Sequence, residues 1–293
     1  MQPMELSRRT LLKGLAAGAV AATASGAEAV ERRQPPRDAV GLLFDSIRCI
    51  GCRACVTKCK EANGLPPDIV QIGGAPYDAP MDLNATTLTV LKLYADDRGV
   101  TAFVKAQCMH CVHPACTSVC MIGALHKGAT GVVEYDRDRC VGCRYCQIAC
   151  AFNVPKFEWS SATPKIVKCE LCRHRWKDGK GAACAEACPR GAVVFGPLDE
   201  LKAEAHRRIT AIPGQYLQHV YGEHEGGGTQ VLYISGVPFE RLGLPPLGEE
   251  PVPELGETIQ HGIYQGFAVP TALFTILGAV VWRNRNNRQE EES

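Results

Sequence analysis

Two long uncharged stretches lie at the ends of the chain, and short apolar runs separated by turns fill the space between. Residues 14–26 are 13 in number and have neither charge nor a polar face. They are too few for a bilayer, which takes about 20 helical residues. Residues 262–282 are 21 without a charge, and as a helix they extend about 31 Å, close to the hydrocarbon thickness. Between the ends, residues 41–44, 192–195 and 231–234 read as strands. Residues 124–127 and 132–135 flank Gly128-Ala129-Thr130-Gly131 as a β-hairpin. Residues 198–209 place apolar side chains at helical spacing, the pattern of an amphipathic helix that packs.

The two end stretches read as addresses. Ser7-Arg8-Arg9-Thr10-Leu11-Leu12-Lys13 precedes the first and Ala27-Glu28-Ala29 closes it, the form of a twin-arginine export leader over residues 1–29 with an A-x-A cleavage site. An amphipathic anchor is the competing reading, and the missing polar face speaks against it. The second stretch reads as a transmembrane helix over 262–282, with Tyr264 and Trp282 near its ends and Pro270 inside it. Arg283, Arg285 and Arg288 follow at once. Basic residues stay cytoplasmic, so residues 283–293 form a cytoplasmic tail and the body lies on the periplasmic side of the inner membrane. A buried core helix is the alternative. Residues 243–256 carry Pro245, Pro246, Pro251 and Pro253 with Glu249, Glu250 and Glu254. Proline at that density keeps a chain extended, so residues 211–256 are expected to form an extension and tether. Gly226-Gly227-Gly228 lacks the Lys-Ser/Thr of a phosphate loop and reads as a turn before the strand at 231–234.

Charge nearly cancels, 32 Lys+Arg against 31 Asp+Glu among 293 residues, which implies no basic nucleic-acid surface. With 46% apolar and 22% charged residues, the chain is neither collagen-like nor disordered. Its 16 cysteines change the picture. They fall into four sets of four: Cys49, Cys52, Cys55, Cys59; Cys108, Cys111, Cys116, Cys120; Cys140, Cys143, Cys146, Cys150; and Cys169, Cys172, Cys184, Cys188. The first and third are spaced C-x2-C-x2-C-x3-C. The second widens the middle gap to four residues and the fourth to eleven. Phe44-Asp45 and Arg48-Cys49-Ile50-Gly51-Cys52-Arg53 run parallel to Tyr135-Asp136 and Arg139-Cys140-Val141-Gly142-Cys143-Arg144. The second and fourth sets share a Gly-Ala after the last cysteine, at Gly123-Ala124 and Gly191-Ala192. The chain alternates two kinds of repeat.

Disulfides suit an exported protein, but thiols two residues apart rarely bridge without strain. Zinc accepts four thiolates, and the fourth set alone passes as a zinc ribbon. Three ligands within seven residues nevertheless crowd one face of a tetrahedral ion. A cube suits them better: three thiolates on a tight loop meet three corners of a [4Fe–4S] cluster, and the fourth cysteine faces a neighbouring cluster. Gly51 and Gly142 let loop N–H groups approach the sulfides. The twin-arginine route carries folded, cofactor-loaded proteins, so leader and clusters agree.

In the two-cluster ferredoxin pattern each motif gives its last cysteine to its partner's cluster. The hairpin between sets two and three resembles the one joining the halves of a bacterial ferredoxin, which pairs those sets and leaves one and four to pair around them. The expected ligand groups are Cys49, Cys52, Cys55, Cys188; Cys169, Cys172, Cys184, Cys59; Cys108, Cys111, Cys116, Cys150; and Cys140, Cys143, Cys146, Cys120. Sequential pairing, one with two and three with four, is the rival.

On these motifs, residues 38–210 resemble the four-cluster ferredoxin subunits that wire periplasmic oxidoreductases to the quinone pool. Such subunits sit beside formate dehydrogenase, dimethyl sulfoxide reductase and [NiFe] hydrogenase catalytic subunits. The leader, the C-terminal apolar stretch and the run Tyr221-Gly222-Glu223-His224-Glu225-Gly226-Gly227-Gly228-Thr229-Gln230-Val231 are most similar to the hydrogenase-2 type of complex. The family's Cys-Pro ending appears at Cys188-Pro189, whereas Lys60, Met121 and Ala151 follow the other closing cysteines. Some relatives replace one ligand and hold a three-iron cluster; every ligand position here is cysteine.

The resemblance implies an α+β fold of two nested ferredoxin-like modules, the inner at about 100–160 and the outer at about 38–99 plus 161–210. It implies a non-catalytic subunit relaying single electrons through four [4Fe–4S] clusters. The partners would be a catalytic subunit, most similar to a [NiFe] hydrogenase small/large pair, and an integral membrane quinone-reactive subunit. A molybdopterin enzyme such as formate dehydrogenase is the second candidate for the catalytic partner, and a zinc-stabilised interaction scaffold is the alternative of another class. His110 and His113 read first as loop histidines facing solvent or a partner and second as donors to cluster sulfur. Arg48, Arg53, Arg139, Arg144 and Lys58 flank cysteines, where positive charge favours a reduced cluster, or are solvated surface. The sequence holds no nucleophile–base set, nucleotide loop or haem-attachment motif.

Overall fold

A computed structural model describes residues 33–67, 80–266 and 268–291. The leader expected at 1–29 lies outside them. The described chain divides into a body ending at Pro253 and a C-terminal unit beginning at Glu254. In chain order the body holds β1 (Val40–Asp45), α1 (Ala54–Ala62), β2 (Val90–Ala95), β3 (Thr101–Ala106), α2 (Ala115–Ser118), β4 (Leu125–Lys127), β5 (Val133–Tyr135), α3 (Tyr145–Ala149), β6 (Lys156–Phe157), β7 (Ile166–Val167), α4 (Ala183–Glu186), β8 (Val193–Pro197), α5 (Leu198–Ala211) and β9 (Val231–Ile234). Helices and mostly antiparallel strands mix along the chain, in agreement with an α+β class.

The three runs that read as strands form one sheet, in the order β8-β1-β9. β1 pairs antiparallel with β8, Phe44 opposite Val193, and parallel with β9, Leu42 opposite Val231. Because side chains alternate along a strand, this sheet has two buried faces. Leu42, Phe44, Val231 and Tyr233 point into a core shared with cysteines of three motifs. Leu43, Leu232 and Ile234 point the other way, against Leu198, Leu201, Ala205 and Ile209 of α5. Each leucine or isoleucine so buried contributes roughly 1.5–3 kcal/mol. Gly41 permits the close approach of β1 to β9: a Cβ there would stand 2.1 Å from the Gln230 carbonyl oxygen.

The expected hairpin forms as β4 and β5, with Leu125 opposite Tyr135. A second hairpin, β2 with β3, pairs Val90 with Ala106 and Ala95 with Thr101. The cysteine spacing carried no sign of it. β6 and β7 add a short third pair.

One expectation is corrected. The stretch 243–253 does not run free as a tether. Leu242 and Leu244 are buried in the main core, the Tyr221 hydroxyl donates to the Pro245 carbonyl at 2.7 Å, and the Gly226 N–H donates to the Gly248 carbonyl at 2.7 Å. Proline stiffness here shapes a segment that packs. Gly227, at φ 82°, makes room for it: a Cβ there would lie 2.8 Å from Pro251 Cγ. The expected span 262–282 contains one residue, 267, outside the described ones, and its other residues are helical. α6 (Glu254–Gly266) and α7 (Ala268–Glu291) share them, and among the described residues no helix is long and apolar enough to cross a membrane. α7 is not a buried core helix, since Phe274, Leu277, Val281 and Trp282 are exposed.

Candidate metal centre

The four cysteine loops are of two kinds in space as in sequence. In the first, Gly51 and Arg53 take left-handed backbone (φ 72° and 59°) and α1 begins at Ala54. In the third, Gly142 and Arg144 do the same (φ 73° and 68°) before α3. Two left-handed residues flanking the second cysteine curl the loop so that its thiols face inward. Each loop is entered through an Asp turn. Asp45 Oδ1 accepts from the N–H groups of Ile47 and Arg48 at 3.0 and 3.1 Å, and Asp136 Oδ1 from those of Asp138 and Arg139 at 3.0 and 3.4 Å. In the second and fourth sets, α2 and α4 each carry the third cysteine on a four-residue helix, and Gly123 and Gly191 turn the chain after the last one.

Two cavities gather thiols from different loops. Cys49, Cys52 and Cys55 of the first loop line one with Cys188 of the fourth, beside Phe44 and Leu91. Cys169, Cys172 and Cys184 of the fourth line the next with Cys59 of the first, beside Leu42, Leu88 and Lys105. In the inner pair, the Cys111 thiol stands in the field of Cys108, Cys150 and Cys116, and Cys146 in that of Cys120, Cys140 and Cys143. All 16 cysteines are free of disulfides. Burial first, and then these neighbours, push the thiols up: Cys49, Cys59 and Cys146 to about 12 and Cys55 to about 11. Four thiolates in so dry a place require compensating cations. Backbone N–H groups already donate to sulfur, from Ala192 to Cys188 at 3.2 Å and from Leu125 to Cys120 at 3.4 Å.

The surroundings revise the reading of the flanking charges. Arg48 pairs with Asp45, Lys58 with Glu61 and Arg139 with Asp136, while the Arg144 guanidinium lies 4.1 Å over the Trp159 ring. Each of these four is thus occupied by a partner other than a thiol, Arg48 by the buried Asp45 and the other three at the surface. The cations desolvated near the thiols include lysines that spacing did not single out. Lys105 is 1% and Lys168 6% exposed, and Lys127 Nζ donates to the Cys111 carbonyl at 2.9 Å. His110 and His113 are buried, at 0% and 2%, and face no solvent. His110 Nδ1 accepts from the Val133 N–H at 3.0 Å, so the proton sits on Nε2. Burial, with Lys168 and Lys127 nearby, holds its pKa well below the usual histidine value. The advance sign of Lys105, Lys168 and the two histidines was their place inside or just before a motif, and Lys127, on β4, had none.

The donor set fits an iron–sulfur cube. Among the described residues no three His, Cys, Asp or Glu side chains converge to hold a single metal ion. A zinc ion, with Zn–S bonds of about 2.3 Å, would draw four sulfurs to one point, whereas these stand around a space. A cluster occupies such a space corner by corner and brings the positive charge that the thiolates lack.

Comparison with known proteins agrees. Residues 100–198 match the family model described as a 4Fe-4S dicluster domain. The hydrogenase-2 operon protein HybA of Escherichia coli O157:H7 is 38% identical over 96% of this chain and 97% of its own length. The formate dehydrogenase-O iron-sulfur subunit of Escherichia coli K12 is 32% identical over 87% of each chain. The nitrate-inducible formate dehydrogenase iron-sulfur subunit of the same strain is 34% identical over 67% of each. With its thiols grouped in fours and this likeness along nearly its whole length, the chain belongs to the HybA-like family of ferredoxin-type subunits and carries [4Fe–4S] clusters.

Proposed function

We propose that the chain relays single electrons along four [4Fe–4S] clusters between a catalytic oxidoreductase subunit and a membrane partner. The nested ligand groups apply: Cys49, Cys52, Cys55 with Cys188; Cys169, Cys172, Cys184 with Cys59; Cys108, Cys111, Cys116 with Cys150; and Cys140, Cys143, Cys146 with Cys120. The observation that carries this reading is the pair of cavities in which each of two loops lends one thiol to the other's three. Bound, the clusters supply one-electron chemistry with no bond made or broken at a substrate. The chain's own part is to hold thiolates, exclude water and set the local charge.

Contacts between groups support a single line. Cys55 lies in the field of Cys184, Cys169 in that of Cys108, and Cys116 in that of Cys146. The groups then follow one another in the order first loop, fourth, second, third. Cys52 and Cys143, one in each terminal group, are exposed. Exposed Ile50 stands beside the one, and exposed Val141, Tyr145 and Ile148 beside the other. A relay needs two such open ends.

The catalytic partner we favour is a [NiFe] hydrogenase small/large pair, because HybA is 38% identical over 96% of the chain whereas the formate dehydrogenase-O subunit is 32% identical over 87%. A molybdopterin enzyme is the second reading. The electron's other terminus is an integral quinone-reactive subunit. The reading puts the complex on the periplasmic side with the apolar run 262–282 as attachment, and the leader-like sequence of residues 1–29 and the basic C-terminal tail support it. The test is to purify the chain with its partners and assay metals. Nickel in the complex, and about 16 iron atoms per chain in the separately purified chain, are expected. Molybdenum moves the chain to the second reading, and absence of acid-labile sulfide ends both. Cys59→Ser should damage chiefly the cluster of Cys169, Cys172 and Cys184; primary damage at that of Cys108, Cys111 and Cys116 refutes the nested pairing.

A further inference from the structure

The cavity of Cys59, Cys169, Cys172 and Cys184 has a cation in its wall. Lys105 lies on β3, three residues before the second motif and 1% exposed. Its ammonium donates to Thr89 Oγ1 at 2.7 Å and to Gln107 Oε1. Both acceptors are neutral, and among the described residues no carboxylate pairs with Lys105. Its carbonyl is held by the Tyr233 hydroxyl, so the side chain is anchored from its own backbone. A buried charge with only neutral partners is strongly disfavoured unless an opposite charge is near. Burial alone lowers the lysine pKa, yet the group is held above its ordinary value by the thiols of Cys184, Cys55, Cys169 and Cys59, in that order. Three of these belong to one ligand group and Cys55 to its neighbour.

We infer that Lys105 is the fixed counter-charge of the cluster held by Cys169, Cys172, Cys184 and Cys59, and that it raises this cluster's reduction potential above that of its neighbour at Cys49. The inference rests on the proposed nested assignment. One electron, delivered along the line from the catalytic partner, adds one negative charge to the cluster without a proton. A permanent positive charge in the same dry cavity stabilises the reduced form more than the oxidised one. Lys105 lines this cavity and not that of Cys49, whose group has only the Cys55 thiol in the field of the ammonium, so the neighbouring cluster gains less. Lys105 thus acts as a positioning residue for charge: it makes the second centre an electron sink, drawing electrons inward from the exposed end.

The experiment is a redox titration of the partner-bound chain, monitored by electron spin resonance, for the wild type, Lys105→Met and Lys105→Arg. In Lys105→Met, with iron content unchanged, the reduced-to-oxidised ratio of one cluster at fixed potential should fall at least tenfold, which is 59 mV for one electron. Lys105→Arg should restore most of it. The shifted signal should be the one that Cys59→Ser damages. Full iron content with all four potentials unmoved overturns the inference and leaves the relay standing. A wild-type chain without clusters overturns the relay itself. Should Lys105→Met fail to load iron, Gln107→Glu decides: it places a carboxylate against the ammonium and must lower the same potential, and no shift there overturns the inference.

Discussion

Asp45 has no exposed surface, and both its carboxylate oxygens are used. Oδ1 holds the N–H groups that open the first cysteine loop, while Oδ2 accepts from Arg208 Nη1 at 3.0 Å and from the Tyr216 hydroxyl at 3.0 Å. Removing one member of a buried pair strands the other, so Asp45→Ala should cost about 3 kcal/mol. For a body of this size the thermal midpoint should drop by roughly 6–12 °C, with iron lost first from the cluster of Cys49. Tyr216→Phe removes one hydrogen bond and should cost about 1 kcal/mol. Equal melting of the Asp45 variant and wild type would contradict this role. The sequence showed Asp45 and Asp136 as matching positions of a repeat, because the Asp turn acts over three residues. It did not show that one is buried against α5 and the other half-exposed: Arg208 is 163 residues away, and no local pattern encodes that meeting.

At the scale of elements, β1 is the hinge between the cysteine core and α5, and Gly41 is what lets β9 lie against it. The obstacle to a larger residue is the Gln230 carbonyl, which is backbone and also accepts from the Leu42 N–H at 2.9 Å. Gly41→Ala should therefore push the two strands apart, at a cost of at least about 2 kcal/mol. Amide hydrogen exchange should show Leu42 and Phe44 losing protection before the residues of α5 do; unchanged protection at Leu42 would refute it. The same register explains Gln230, whose amide donates to the carbonyls of Val40 at 2.6 Å and Thr130 at 2.9 Å. The run from Tyr221 to Val231 resembles that of a subfamily, and its physical work is to clamp the inner hairpin loop to the main sheet. The three main-sheet strands, the β4–β5 hairpin and α5 were legible because each carries its own periodicity. The β2–β3 hairpin has a comparable pattern but stands outside the cysteine repeats, so nothing in the motif spacing marks it.

For the molecule as a whole, the cores that should hold it together are interrupted by thiol-lined cavities, and aromatics are only 6% of the chain. The clusters therefore supply folding energy as well as redox chemistry. Iron removal by a chelator under reducing conditions should abolish most of the far-ultraviolet circular dichroism of the body. A native spectrum from iron-free protein would show that the cores suffice alone. Ligand type, ligand number and the two kinds of loop are determined by the sequence itself, since cysteine spacing, glycine and the Asp turn act within about ten residues. Which loops exchange their fourth thiol, which apolar segment packs and which runs free, and where a lysine is desolvated are decided only in the folded chain. Those outcomes depend on which distant surfaces exclude water together, and neither Lys105 nor the proline-rich stretch before Glu254 carries that information in its neighbours.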